Sequence, residues 1–154
     1  MASNFKLNNK WILWFHDVKS NKWDFDSYEK VQEINDIKDF WITMNNISIN
    51  IGMYYLMKDG YKPLWDDENN INGYTYTMKC DISETPEIFQ SLSCLIISEL
   101  LNKNKSQIIG LSTSPKITSN IIRIWTTQKI SDNDINNNQF IKISEMIEFP
   151  NKRK

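Results

Sequence analysis

Asn120-Ile-Ile-Arg-Ile-Trp-Thr-Thr-Gln128 decides the architecture. Successive side chains of a strand point to opposite faces, so Ile122 and Ile124 share one face while Ile121, Arg123 and Trp125 share the other. One face is wholly aliphatic and suits a core. The other carries a guanidinium and an indole and suits a wet surface. Gly73 to Cys80 alternates in the same way, and Trp11-Ile-Leu-Trp-Phe-His16 and Met53 to Lys58 are apolar strands, the second closed by a Lys58-Asp59-Gly60 turn. Tyr28 to Ile34 reads as a half-exposed strand, and Gln107 to Leu111 is joined to the 120–128 strand by a polar turn near Ser112 to Ser119.

Helices are interspersed with these strands. Asn35-Asp36 offers an N-cap with Asp39 three residues after Asp36, and Ile37, Phe40, Trp41, Met44 and Ile47 form an apolar stripe. Thr85-Pro86-Glu87 starts a second helix with proline in its first turn, carrying Phe89, Leu92, Leu95, Ile96 and Leu100. Ile141 to Phe149 reads as a third, ended by Pro150. The expected fold is α+β: a curved antiparallel β-sheet with about three helices on its convex face and the other face open to a ligand. Residues 1–10 are expected to be loose, 11–150 to form one domain, and 151–154 a basic tail.

Composition narrows the function. The 154 residues carry a net charge of -1, too little basic excess for a protein that tracks a nucleic-acid backbone. No apolar run is long enough to span a membrane. One histidine, His16, and two cysteines without CxxC spacing supply neither a metal site nor a nucleophile triad. Cys80 and Cys94 read as small hydrophobes in a reducing compartment, and no cofactor or catalytic residue is indicated. Heavy use of Ile, Asn and Lys beside a single Ala points to an AT-rich genome, such as that of a parasite or a large DNA virus.

The unusual number is six tryptophans. Trp65 lies in the acidic loop Pro63-Leu-Trp-Asp-Asp-Glu68-Asn69-Asn70, where a polar backbone favours the surface. An exposed indole next to a carboxylate either packs on its own sheet edge or receives a flat ring bearing N–H donors. Guanine is such a ring, and methylation at N7 would add a cation–π attraction of roughly 0.5–2 kcal/mol.

With these residues in view, the chain resembles the eukaryotic translation initiation factor 4E family, which binds the 7-methylguanosine cap of messenger RNA. The matching segments are Trp11-Ile-Leu-Trp14-Phe15, Lys22-Trp23, Ile37-Lys-Asp-Phe-Trp41, Lys58-Asp-Gly60, Pro63 to Asn69, Cys94-Leu-Ile96 and Ile124-Trp-Thr-Thr127. The resemblance implies a sheet backed by three helices. It places Trp23 and Trp65 on either side of the base, Asp66 on the guanine N1 and N2 protons, and Trp125 against the N7 methyl. It implies phosphate contacts from Lys116, with Arg123 replacing the charge absent at Ile121; a further family arginine falls at Thr75 or Tyr74. Asp66 stands where the family has glutamate and is about 1.5 Å shorter in reach. Either the loop moves inward, or the pocket is roomier and takes a differently methylated cap, or Asp67 or Glu68 substitutes. The family continues beyond the position of Lys154 into a further strand and a basic loop.

On the opposite side, the resemblance places Ile37, Trp41, Phe89, Ser93 and Gln90 on a groove for a helical peptide of a 4G-like scaffold or a 4E-binding repressor. Lys38 and Gln90 stand where the family is acidic. The implied protein is a cytoplasmic, monomeric, non-enzymatic cap-binding factor, or alternatively a decoy or repressor that keeps the fold and sequesters cap or scaffold.

Overall fold

The computed structural model describes residues 5–103 and 108–152. Its strands are β1 (Lys6–His16), β2 (Glu29–Asp36), β3 (Met53–Lys58), β4 (Tyr74–Asp81), β5 (Ile108–Pro115), β6 (Ser119–Thr126) and β7 (Ile147–Pro150). They form one sheet in the order β2-β1-β3-β5-β6-β4-β7, every neighbouring pair antiparallel. Register shifts in β1 against β2 and in β5 against β6 add local bend and twist to a curved sheet.

Helix α1 (Ile37–Asn46) starts where the sequence places it. The Asp36 carboxylate accepts from Asp39 N at 2.7 Å, and the Asp39 carboxylate accepts from Asn35 N at 3.1 Å. Helix α2 (Thr85–Ile97) carries its proline in the first turn. One aliphatic core joins the helices to the sheet: Leu13, Ile34, Phe40, Leu56, Leu92, Leu111, Ile122 and Ile124 are fully buried. Ile122 and Ile124 thus take the core face that their alternation requires.

Three expectations need correction. Among the described residues there are two α-helices, not three; the other helical pieces are single 3-10 turns. The expected helix over 141–149 is a turn at Ile143–Glu145 followed by β7, which pairs Ile147 with Thr77 and Phe149 with Thr75. Asn138 accepts from the N–H groups of Phe140 and Ile141 at 2.9 and 2.8 Å, and Asp132 accepts from Ile143 N, which ties the segment to the preceding 132–138 stretch. Residues 6–10 are not loose: they are the first half of β1. Asn8 and Asn9 both donate to Glu99, 91 and 90 positions away, and the Phe5 carbonyl accepts from Ile37 N at 3.0 Å. Residues 1–4 of that segment lie outside the described residues. Asn151 is likewise no free tail: it is buried, its side chain donates to Asn70 O at 2.8 Å, and its N–H donates to Gly73 O at 2.9 Å. Lys152 is exposed, and Arg153 and Lys154 lie outside the described residues.

Candidate functional site

The strand registers lay out the face away from the helices row by row. Trp14, Tyr55, Ser112, Arg123 and Thr77 stand in one row, and Ile12, Met57, Gly110, Trp125 and Thr75 in the next. Met57, Ile109 and Trp125 form a second buried cluster here, with Trp14, Tyr55 and Tyr61 packed on it. A side chain at Gly110 would meet Met57 Sδ at 2.5 Å, so glycine leaves room for this layer.

Aromatic rings pave the face. Tyr55 meets Trp125 edge-on at 6.2 Å between centroids and Tyr28 at 5.3 Å. Tyr28 leans on His16 at 4.7 Å, and Trp23 lies flat over His16 at 4.1 Å with an interplanar angle of 6°. Trp14 meets Phe25 at 5.1 Å, and Lys62 Nζ stands 4.9 Å over the Phe25 ring. His16 is fully buried; its Nε2 donates to Lys22 O at 2.7 Å, and Nδ1 has no hydrogen-bond partner among the described residues. One face of Trp23 is therefore fixed on a rigid floor, while the residue remains 52% exposed.

Trp65 is 41% exposed and Asp66 is exposed. Burial first, then the neighbouring Tyr55, then the negative charge of Asp66 push the Tyr28 phenol well above its ordinary pKa, so Asp66 lies within electrostatic reach of Tyr28. Burial also raises Tyr55, opposed by its hydrogen bond with Tyr28 and by the positive charge of Arg123. Asp67 is committed to its loop: its carboxylate accepts from Asn69 N at 3.2 Å, and its carbonyl accepts from Asn70 and Ile71, both at 2.8 Å.

The loop carrying Trp65 and Asp66 is shaped from below by Asn70, a residue the sequence reading did not single out. It is fully buried, and its amide donates to Lys62 O and Leu64 O, both at 2.7 Å. Gly60, at φ 95°, makes the left-handed step that opens this loop. Asn70→Ala removes both of these part-buried hydrogen bonds, at about 0.5–1.5 kcal/mol each, and leaves Leu64 O with the Asp67 N–H at 3.2 Å. We expect a fall of about 1–3 kcal/mol in urea unfolding, together with weaker ligand binding at Trp65.

The other expected residues divide. Trp125 faces the aromatic layer as expected but is only 4% exposed, and its Nε1 donates to Ser112 Oγ at 3.0 Å, so it offers an edge rather than a stacking plane. Arg123 shares its face, two residues along β6. Lys116 is exposed at the β5–β6 turn. On the helical side, Trp41 is 40% exposed, Ile42 is exposed, and Ile37 and Gln90 are half-buried. Phe89 is 1% exposed and Ser93 fully buried, which corrects their placement on a surface groove: both turn into the core with Leu92 and Ile96. His16, Tyr28 and Tyr55 were missed as the floor of the site. Among the described residues no group of three His, Cys, Asp or Glu side chains is placed to hold a metal ion, and no helix is long and apolar enough to cross a membrane.

A single antiparallel sheet with helices on one face and an aromatic layer on the other defines an α+β protein. Residues 6–154 match the family model for eukaryotic initiation factor 4E, and the chain belongs to that family. It is 28% identical over 148 residues to eukaryotic translation initiation factor 4E-3 of Caenorhabditis elegans, covering 88% of this chain and 59% of that protein. It is 27% identical over 133 residues to factor 4E of Xenopus laevis, covering 79% and 62%. The chain thus spans about three-fifths of the length of these curated relatives. Among solved structures, Ascaris suum eIF4E-3 with an m2,2,7G cap superposes with a TM-score of 0.74 at 26% identity, covering 85% of this chain and 78% of that one. C. elegans eIF4E-3 with the 4E-binding protein Mextli and a cap analogue gives 0.73 at 27%, covering 82% and 76%.

Proposed function

We propose that this chain binds the 7-methylguanosine cap of messenger RNA and brings it to translation initiation through a scaffold peptide held on its helical side. The carrying observation is two half-exposed indoles, Trp23 stacked on His16 of the aromatic face and Trp65 in the loop beside the exposed carboxylate of Asp66, whose charge reaches Tyr28 of that face. Trp23, backed by His16, offers one flat surface to a cationic base, and Trp65 offers the second. Asp66 accepts the two N–H donors on the guanine edge. Arg123 and Lys116 meet the phosphates, a demand few contacts can satisfy. The cap-bound structures of related factors support the same reading. Trp41, Ile37 and Gln90 form the surface for a helical peptide, Phe89 supporting it from inside, and a related factor bound to a 4E-binding protein supports that assignment. The work is binding rather than catalysis, carried out in the cytoplasm by a monomer of one domain.

Titration with m7GTP, read by tryptophan quenching, tests the site: saturable quenching that is much weaker with GTP is expected, and equal affinity for the two overturns it. Asp66→Asn keeps the size but puts an N–H donor against the guanine donors. Hydrogen bonds to a charged group contribute about 1.5–3 kcal/mol, so cap affinity should fall roughly tenfold to a hundredfold. Running m7G and m2,2,7G caps side by side on the wild type measures how the shorter carboxylate changes selection.

A further inference from the structure

His16 is the only histidine of the 154 residues, and it is fully buried at the end of β1. Its ring lies parallel to the Trp23 indole, 4.1 Å away at an angle of 6°. Its bond to the Lys22 carbonyl at 2.7 Å fixes a proton on Nε2, because a carbonyl can only accept. Nδ1 therefore keeps its lone pair, buried and without a hydrogen-bond partner among the described residues. A neutral imidazole fits this place. A second proton can go only to Nδ1, where it finds no acceptor.

The surroundings supply no bonded carboxylate to hold an imidazolium. Tyr28, just before β2, leans on the ring at 4.7 Å, and its phenol is hydrogen-bonded to Tyr55. From β3 the register partner is Met53. In the loop after β1, Asp17 is exposed and accepts from Lys19 N at 2.9 Å, while the exposed Lys22 is itself a cation. Glu29 of β2 is exposed and pairs in register with Phe15. Asp66 and Arg123 act on Tyr28 and Tyr55 respectively, one ring further away.

We propose that His16 is a positioning residue whose protonation controls cap binding: the neutral ring holds Trp23 flat for a cationic base, and the protonated ring drives that base off. The proposal rests on the cap-binding reading and adds acid sensitivity to it. Trp23 has one face on the imidazole and offers the other to the base. A base stacked at the same spacing on the free face stands about 8 Å from the imidazole, twice the 4.1 Å separation. Aromatic rings rather than water fill that distance, so two positive charges across the indole repel with little screening. They also compete for a single π-system. A proton on Nδ1 further leaves an N–H unsolvated within the stack, so acid loosens Trp23 from its floor. Binding thus favours the neutral imidazole. Affinity is full above the range in which imidazoles take up a proton, roughly pH 7 to 5, and falls as pH drops through it. By linkage, bound cap makes His16 harder to protonate.

The test titrates the full chain, carrying no histidine tag, with m7GpppG, a cap without a terminal phosphate to titrate. Wild type should bind roughly tenfold more weakly at about pH 5 than at about pH 7.5. His16→Phe keeps a ring beneath Trp23 and removes the proton site. It should bind within about threefold of wild type at the higher pH and change less than about twofold between the two. In wild type, saturating m7GpppG should move the titration midpoint of the single histidine resonance about one pH unit lower, the linkage counterpart of the tenfold loss. If His16→Phe does not fold, that resonance decides alone. Equal acid losses in wild type and His16→Phe assign the sensitivity to Asp66 or the ligand and overturn the proposal. A wild-type affinity indifferent to pH, or a midpoint that cap leaves unmoved, overturns it too, and the cap reading stands in each case. Absence of binding by wild type at either pH overturns the cap reading and this proposal with it.

Discussion

Trp65→Ala should weaken binding of m7GTP by roughly 1–3 kcal/mol, about fivefold to 150-fold, because one face of the base loses its aromatic partner. Trp23→Ala should lose a comparable amount, and Trp65→Phe or Trp23→Phe should recover part of it by restoring a smaller ring. The losses belong to binding and not to folding: both indoles are half-exposed, so truncation removes little core. The two sites nevertheless differ. Trp65 rides on a loop templated by Asn70, whereas Trp23 lies flat on His16, a side chain with no exposed surface. Trp23→Ala uncovers that imidazole and should lower the melting temperature slightly more than Trp65→Ala does. Calorimetric titration with a thermal melt for each variant separates these effects. Unchanged affinity on losing either ring would place the base elsewhere.

The parts legible in the sequence are those in which local periodicity and tertiary burial agree. Ile122 and Ile124 alternate with Arg123 and Trp125, and the sheet buries the first pair in the helix-backed core. Asp36 and Asp39 announce the start of α1 because a helix cap is a local device. The misread segments are those decided at a distance. Lys6 to Lys10 is polar and reads as loose, yet it pairs in the sheet and is fastened by Glu99 from the far end of α2. The 141–149 stretch has helix-like apolar spacing, but β4 offers an open edge that Ile147–Pro150 fills as a strand.

The site follows the same division. Trp65 and Asp66 stand out because an indole in an acidic loop is anomalous, and both are exposed. The stack of Trp23 on His16 joins a loop to the end of β1, and neither residue announces the other. Tyr28 immediately precedes β2 and closes onto Tyr55 of β3 only once β1 lies between the two strands. A floor assembled from three strands has no sequence signature of its own, even when each ring in it is visible.

Phe89→Ala should cost about 3–5 kcal/mol of stability, because it empties a large buried side chain from the layer between α2 and the sheet. In a chain of this size that is a fall in melting temperature on the order of 10 °C. Trp41→Ala should do the reverse. The indole is 40% exposed and meets Phe40 edge-on at 5.0 Å. Its loss should leave the melt nearly unchanged while a helical scaffold peptide binds about 2 kcal/mol more weakly, roughly thirtyfold, as for a tryptophan at the centre of a groove. The pair separates two roles that the sequence had merged. If Phe89 belonged to the surface, its truncation would weaken peptide binding without shifting the melt. As a core residue, it shifts the melt first, and the remaining folded protein should hold peptide with an affinity reduced only as far as α2 relaxes. Urea unfolding and peptide titration at a temperature well below the variant's transition read the two quantities independently. A stable Phe89→Ala protein would return that residue to the groove, whereas a Trp41→Ala protein that kept full peptide affinity would move the docking surface off α1.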